Sequence, residues 1–500
     1  MSRPAAGLDR RNPARQHTRW FAPWCIRAIA ATLIAGGLLQ ARPAHAAEFY
    51  LKAGDRVVFY GDSITEQRYY PVAVQTFVRT RFPRLHVSFV DSGVSADMVN
   101  GGWAGSIHVR LQRDVLPFHP TVVTIMLGMN DGRYQPFNPD FFAKYQRGYI
   151  HIIHWLQSHL PHVRIVLIQP SPYDNYSAPL APQSPLAAYN QVLIRYGRFL
   201  QQLAAQNHML CVNFNRPLVD LIRQVKRINP RLATQIIPQR VHPGATAQMV
   251  MAQALLRAWH APALVSAVAI NGASGSLVRA ANTKVSHLSG KRTHIAWTQH
   301  DRCLPYPLMT LHRHWMQFPW VVPNWPSPVE NARSINPLAA LVFRLSRMYQ
   351  VLDSQMLRVT GLLNCQYRLS INGRVVGTFS AAQLQRGINL ACYNTPMMAQ
   401  AYRVMYLVWK QTQNRFIAWR RYQLPALGFG YTAHGHKAHR DAPAALQKAL
   451  AITRSMYRQC AQMNAGQYAA ARPGVDHYAL VAMVRAKSQP AALHHDPPRQ

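Results

Sequence analysis

Four short stretches of this chain carry side chains or backbone groups suited to acyl transfer. Gly61-Asp62-Ser63-Ile64-Thr65-Glu66 offers a hydroxyl at Ser63, and Asp91-Ser92-Gly93 offers a backbone N–H at Gly93. Gly128-Met129-Asn130-Asp131 offers the side-chain amide of Asn130, and Val241-His242-Pro243 offers an imidazole. A serine hydroxyl is a weak nucleophile until a base takes its proton, and an imidazole can take that proton and return it to the leaving group. Donors fixed in advance, here the N–H groups of Ser63 and Gly93 and the Asn130 amide, stabilise the charge that develops on a carbonyl oxygen. Each stretch also has a purely structural reading. Ser63-x-x-Glu66 is a capping box. Gly93 is a turn glycine, and Asn130-Asp131 is a polar turn or helix cap. His242 is one of 23 histidines, and a lone loop histidine is ordinarily polar surface.

The elements around these stretches decide between the two readings. From Asp55 to about Pro262, apolar β-rich runs alternate with amphipathic stretches. The runs are Arg56–Tyr60, His86–Val90, Val122–Leu127, Arg164–Gln169 and Met209–Phe214. Helical spacing falls at 66–80, 103–115, 140–159, 186–206, 216–228 and 244–260. Continuous apolar runs suit strands buried on both faces, and strand–helix alternation predicts a parallel sheet between two helical layers. Right-handed crossovers put all strand C-termini at one edge, where open α/β sheets bind ligands. Ser63 follows the first run, Gly93 the second and Asn130 the third, while His242 precedes the last helix. All four are therefore expected at that edge.

These motifs together resemble the SGNH (GDSL-type) hydrolase family over residues 55–260. Its blocks are a Gly-Asp-Ser turn, a glycine after the second strand, Gly-x-Asn-Asp after the third, and Asp-x-x-His near the domain's end. The resemblance implies a flavodoxin-like three-layer α/β/α fold and a carboxylic-ester hydrolase, an esterase or lipase, that needs no cofactor or metal. Carried over residue by residue, it makes Ser63 the nucleophile and His242 the base. Gly93 and Asn130 become the oxyanion donors.

The departure falls on the carboxylate. Where the family pattern has the Asp of Asp-x-x-His, this chain has Gln239. A carboxylate fixes the imidazole tautomer and stabilises the imidazolium, and replacing it by an amide in a serine-protease triad costs about 10⁴ in turnover. A glutamine oxygen can accept from Nδ1–H but carries no charge. Asp174, at a strand end on the same edge, is the leading substitute. Asp131 is another, Asp220 reads as surface, and a backbone carbonyl or water could also orient the ring.

Beyond Pro262 the pattern changes, so residues 50–262 are expected as the catalytic domain and 263–426 as a smaller β-rich domain. Tyr367–Ile371, Asn372-Gly373 and Arg374–Phe379 read as a hairpin with a tight turn. Leu407–Trp409 and Phe416–Trp419 are candidate strands, 335–355 a helical insert and 304–328 a Pro- and Trp-rich loop. Residues 427–500 are expected as a basic, partly disordered tail with one helix near 442–464.

Lys and Arg number 55 against 18 Asp and Glu. Arg10, Arg11, Arg15 and Arg19 precede the apolar run Ala28–Leu39 and a small-x-small site at Ala44-His45-Ala46. This is the layout of a secretory signal over 1–46, so the chain is expected to be exported, periplasmic or extracellular, with no span left in the mature form. Loss of seven arginines and one aspartate would still leave about +31. The arginines are dispersed and match no nucleic-acid motif, which points to a solvated surface, with an acidic glycan or envelope surface as the alternative partner. Five cysteines follow the signal. Cys365 and Cys392 are a candidate pair, and Cys211 reads as a buried thiol. The expected substrate is a small-molecule or polysaccharide acyl ester. A competing reading keeps the fold without the chemistry: a catalytically degenerate protein that binds acidic glycan or envelope surfaces.

Overall fold

The computed structural model describes residues 48–309, 337–430 and 443–483. The expected signal segment and the C-terminal end at 489–500 lie outside them, as does most of the Pro- and Trp-rich stretch.

The central sheet forms where the apolar runs lie. Its strands are β1 (Arg56–Gly61), β2 (Ser88–Gly93), β3 (Val122–Met126), β4 (Arg164–Gln169) and β5 (Leu210–Asn213). They are all parallel, in the order β2-β1-β3-β4-β5. That is a flavodoxin-like order, with its switch point between β1 and β3. Every residue of β3 is buried, as a strand covered on both faces requires.

The helices of this part are α1 (Ser63–Glu66), α2 (Tyr69–Arg81), α3 (Ile107–Asp114), α4 (Pro139–His159), α5 (Tyr189–Gln206), α6 (Asn215–Ile228) and α7 (Ala245–Ala258). Two groups of helices form: α7 packs on α2 and α6, while α4 packs on α5. The α4 start shows the local logic. Asn138 caps it by accepting from the N–H groups of Asp140 and Phe141, and Pro139 stands in the first turn, where its missing N–H costs nothing.

The remaining described residues build two more sheets from β6 (Leu264–Asn271), β7 (Ser276–Ala281), β8 (Thr283–Lys291), β9 (His294–Asp301), β10 (Ser354–Thr360), β11 (Gln366–Ile371), β12 (Arg374–Ser380), β13 (Ile388–Asn389) and β14 (Val475–Ala482). One sheet runs β8-β9-β14-β11-β12, all antiparallel, and the other runs β13-β10-β6-β7. The expected hairpin is β11–β12. Asn372 and Gly373 have φ of 51° and 75°, the pair of positive values that a type I′ turn needs. The helical insert appears as two pieces, Pro337–Leu345 and Met348–Leu352.

Several expectations are corrected. Leu407–Trp409 and Phe416–Trp419 are not strands; the first lies inside α8 (Pro396–Ile417) and the second spans its end. Met397, Ala401, Val404, Met405 and Val408 are buried at three- and four-residue spacing, so the helical period governs the longer window. The stretch expected as a tail holds the expected helix, α9 (Pro443–Ala470), but also an unexpected strand, β14, the middle strand of its sheet. Among the described residues, one apolar cluster runs from Val57 through Leu357 to Leu480, on both sides of residue 262. The C-terminal helices seal the β2 side. Trp419 Nε1 donates to Asp114 Oδ1 at 3.0 Å, the Tyr468 hydroxyl donates to the Val87 carbonyl at 2.9 Å, and Tyr69 stacks on Trp409. All five described cysteines are free, so Cys365 and Cys392 are not joined. Cys211 is half-buried, and burial pushes its thiol up to about 11. No described helix is long and apolar enough to cross a membrane.

Candidate active site

Glycine at 61 is needed where β1 turns into α1. A Cβ there would stand 2.2 Å from Thr65 Oγ1 and 2.8 Å from the Met126 carbonyl oxygen. The N-cap of α1 is Asp62, not Ser63: its Oδ1 accepts from the Ile64 N–H at 3.0 Å. The capping box expected from Ser63 and Glu66 therefore does not form. Glu66 instead accepts from the Ser95 hydroxyl. Because Asp62 caps the turn, the Ser63 hydroxyl is left for another partner.

That partner is His242. Ser63 Oγ and His242 Nε2 are 2.8 Å apart. The two residues meet because the loop before α7 is tied down at both ends. Gly244 N–H donates to the Ile236 carbonyl at 2.9 Å. Arg240 donates from its guanidinium to the carbonyls of Asp174 and Ala178, and its own carbonyl accepts from the Asp174 N–H. Buried Gln248 in α7 makes the third tie. Its amide nitrogen donates to the Pro243 carbonyl at 3.0 Å and to Gln67 Oε1 at 2.7 Å, while its oxygen accepts from the Tyr70 N–H at 3.1 Å. One side chain thus fixes the residue after His242 against the turn that carries Ser63.

Burial lowers the His242 pKa from its ordinary value, and no carboxylate acts against that. Among the described residues, Nδ1 has no hydrogen-bond partner. Each candidate orienting group is placed elsewhere. Gln239 is exposed at the corner of a turn closed by the Arg240 N–H on the Ile237 carbonyl, and its side chain makes no hydrogen bond among the described residues. Asp174 is buried, but its carboxylate serves its own turn, accepting from the N–H groups of Tyr176 and Ser177 and from the Ser177 hydroxyl. Asp131 Oδ1 accepts from the Val99 N–H at 3.0 Å. Asp220 pairs on the surface with Arg216. Ser63 and His242 are thus paired with no carboxylate bonded to the ring among the described residues.

The two groups expected as oxyanion donors differ in how far they are already bonded. Gly93 N–H donates to Asp91 Oδ1 at 3.0 Å, inside its own turn. Glycine is required there for packing, since a Cβ would lie 2.2 Å from the Glu66 nitrogen. Asn130 is better placed. Its carbonyl oxygen accepts from the Tyr134 hydroxyl at 2.9 Å, and its NH₂ donates to the Asp97 carbonyl at 3.0 Å, leaving one amide proton uncommitted. The Ser63 N–H, at the start of α1, has no acceptor among the described residues. Neither has that of Ala96, which precedes Asp97 and holds a left-handed φ of 61°. Alanine gives no sequence signal for such a conformation, so this donor was not legible. Gln248 was equally hidden, one of several polar residues in a mostly apolar helix.

Three buried carboxyl groups crowd this edge. Burial, opposed by the Ile64 N–H bond and reinforced by Asp131 and Asp97, pushes Asp62 up to about 8. Burial likewise raises Asp131 to about 7. Asp97 stays paired, accepting from Arg110 Nε at 3.0 Å. A neutral Asp62 at neutral pH keeps one negative charge away from the place where an oxyanion would form. Tyr69 and Tyr70, at the start of α2, are both buried. The Tyr70 hydroxyl bonds Thr65 Oγ1, and its ring packs edge-on against Phe59 and Phe214.

Residues 59–250 match the model of the GDSL-like Lipase/Acylhydrolase family. This part of the chain is a GDSL-like acylhydrolase domain, and its class is carboxylic-ester hydrolase. An acetylxylan esterase from Geobacillus stearothermophilus is 24 % identical over 227 residues, which are 41 % of this chain and 94 % of that protein. Among solved structures, a gut microbial diltiazem-metabolizing enzyme superposes with a TM-score of 0.69 at 24 % identity, over 87 % of this chain and 98 % of its own. The second likeness shows that the fold beyond residue 262 also occurs in another protein.

Proposed function

We propose that this chain is an exported serine esterase that cleaves a short acyl group from a carbohydrate or small-molecule ester. The observation that carries this reading is the 2.8 Å contact between Ser63 Oγ and His242 Nε2 at the C-terminal edge of the parallel sheet. In the productive tautomer Nε2 is unprotonated and accepts from Ser63. The hydroxyl attacks the ester carbonyl as its proton passes to Nε2. The oxyanion is met by the Ser63 N–H, the free Asn130 amide proton and the Ala96 N–H. The imidazolium then protonates the leaving alcohol. Water, deprotonated by the same ring, releases the acid from the acyl-serine. The acetylxylan esterase likeness supports an acetyl group on a polysaccharide, and the signal-like start supports export. Purified protein should hydrolyse p-nitrophenyl acetate and label at Ser63 with an organophosphonate, and Ser63→Ala should abolish both.

The absence of a carboxylate near His242 among the described residues favours one competing reading, a degenerate hydrolase that retains only glycan or envelope binding. It expects no Ser63-dependent turnover over a wide ester panel, with salt-sensitive binding to acidic polymers that Ser63→Ala leaves intact.

A further inference from the structure

A groove of about 440 Å³ opens beside the candidate site, between α3 and α4. Its wall includes Asp131, the residue after Asn130, together with the turn that follows Asp97. Its rim carries Arg133, Lys144, Arg147, His108 and His151. Arg133 and Lys144 are gathered over one aromatic ring, at 5.9 and 5.8 Å from the Phe141 centroid. The two imidazoles meet edge to face at 4.8 Å. None of the three long cations forms an ion pair among the described residues. By contrast, Arg110 and Arg113 nearby are spent on Asp97 and Asp114. Asp131 itself is buried in the groove wall, its Oδ1 accepting from the Val99 N–H. A concave, partly apolar surface rimmed by Arg133, which interacts electrostatically with Asp131, and by Lys144 and Arg147, which form no ion pair among the described residues, suits a polyhydroxylated ligand that bears negative charge.

We infer that this groove holds an anionic sugar residue of the substrate, so that the ester cleaved at Ser63 belongs to an acidic glycan. The shared chemistry is a sugar carrying a carboxylate or a sulfate, whose charge meets Arg133, Lys144 and Arg147. This rests on the esterase reading and extends it to substrate class. The chain is basic everywhere, so the groove's cations must be distinguished from general surface charge.

The test compares kcat/KM for acetylated oligogalacturonide, an acetylated sulfated xylo-oligosaccharide and acetylated neutral xylo-oligosaccharide. Lys144→Ala with Arg147→Ala should lower the acidic-to-neutral ratio by about tenfold, chiefly through KM, at unchanged thermal midpoint. A control pair on another face, Arg227→Ala with Arg231→Ala, should leave the ratio alone. Retention of preference for only one acidic substrate identifies the charge as carboxylate or sulfate. No acidic preference in the wild type, or an equal loss from the control pair, overturns the inference. Should the protein hydrolyse no ester at all, calorimetric titration with unacetylated trigalacturonate and with sulfated xylotriose separates the two readings. Binding lost only in the Lys144/Arg147 variant keeps the groove while the esterase reading falls, and no binding of either overturns both.

Discussion

Gln239→Asp restores the residue type of the family pattern at a position that does not touch the base. A carboxylate bonded to Nδ1 is worth about 10⁴ in turnover, roughly 5 kcal/mol. The structure gives no such gain here, because Gln239 sits exposed at the corner of the Ile237–Arg240 turn. A charge there acts through solvent. At ~6 Å and a dielectric near 80, its attraction for the imidazolium is about 0.7 kcal/mol, or roughly threefold in rate. The variant should therefore raise kcat/KM for p-nitrophenyl acetate by no more than about threefold at neutral pH. Most of that gain should vanish in 1 M salt, where screening acts over about 3 Å. A salt-insensitive rise of 100-fold or more would refute the reasoning, since it requires the turn to carry residue 239 onto Nδ1. A loss of activity would refute it too, by showing that the glutamine amide already orients the ring.

Burial holds the His242 pKa below its ordinary value, so the neutral base survives into mildly acidic solution. The acid limb of kcat/KM should bend below pH 6.5; a bend at or above that pH contradicts the unpaired, buried ring. Gln248→Ala removes the three hydrogen bonds by which this side chain joins Pro243 to Gln67 and Tyr70. It should cut kcat by about tenfold with little change in KM, and equal loss in both would mean general damage instead. Asp62, raised to about 8, keeps in the folded state a proton that the unfolded chain loses near pH 4. Its contribution to stability is thus full below about pH 4 and declines as pH rises toward 8. Asp62→Asn keeps the cap acceptor and should flatten the fall in Tm between pH 5 and 8, and an unchanged slope counts against the buried-carboxyl account.

The catalytic edge was legible because four local signals each sat at a strand end or helix start that periodicity alone located. Ser63 and His242, 179 residues apart in sequence, meet as those positions require. What the sequence hid was the use of backbone and of buried amides. Gly93 looks like a donor, but its N–H is taken by Asp91, a bond two residues long that no pattern announces. Ala96 and Gln248 carry no motif at all. In the C-terminal third, α8 and β14 were hidden for a different reason. Short β-like windows in α8 outweighed its longer period, and a composition rich in Gly, His and Arg masked β14, whose alternating Tyr478 and Leu480 face the core.

The position of β14 has a consequence for how the chain is made. β9 and β11 flank a slot that only the last strand fills. About 110 residues separate the end of β11 from the end of β14, or roughly 5–20 s of synthesis at usual elongation rates. Through that interval both flanking strands present open edges, the feature that invites pairing with other chains. The nascent protein must wait for its own end before this sheet can close, so any truncation that removes Val475–Ala482 leaves two sticky edges and not a smaller folded enzyme.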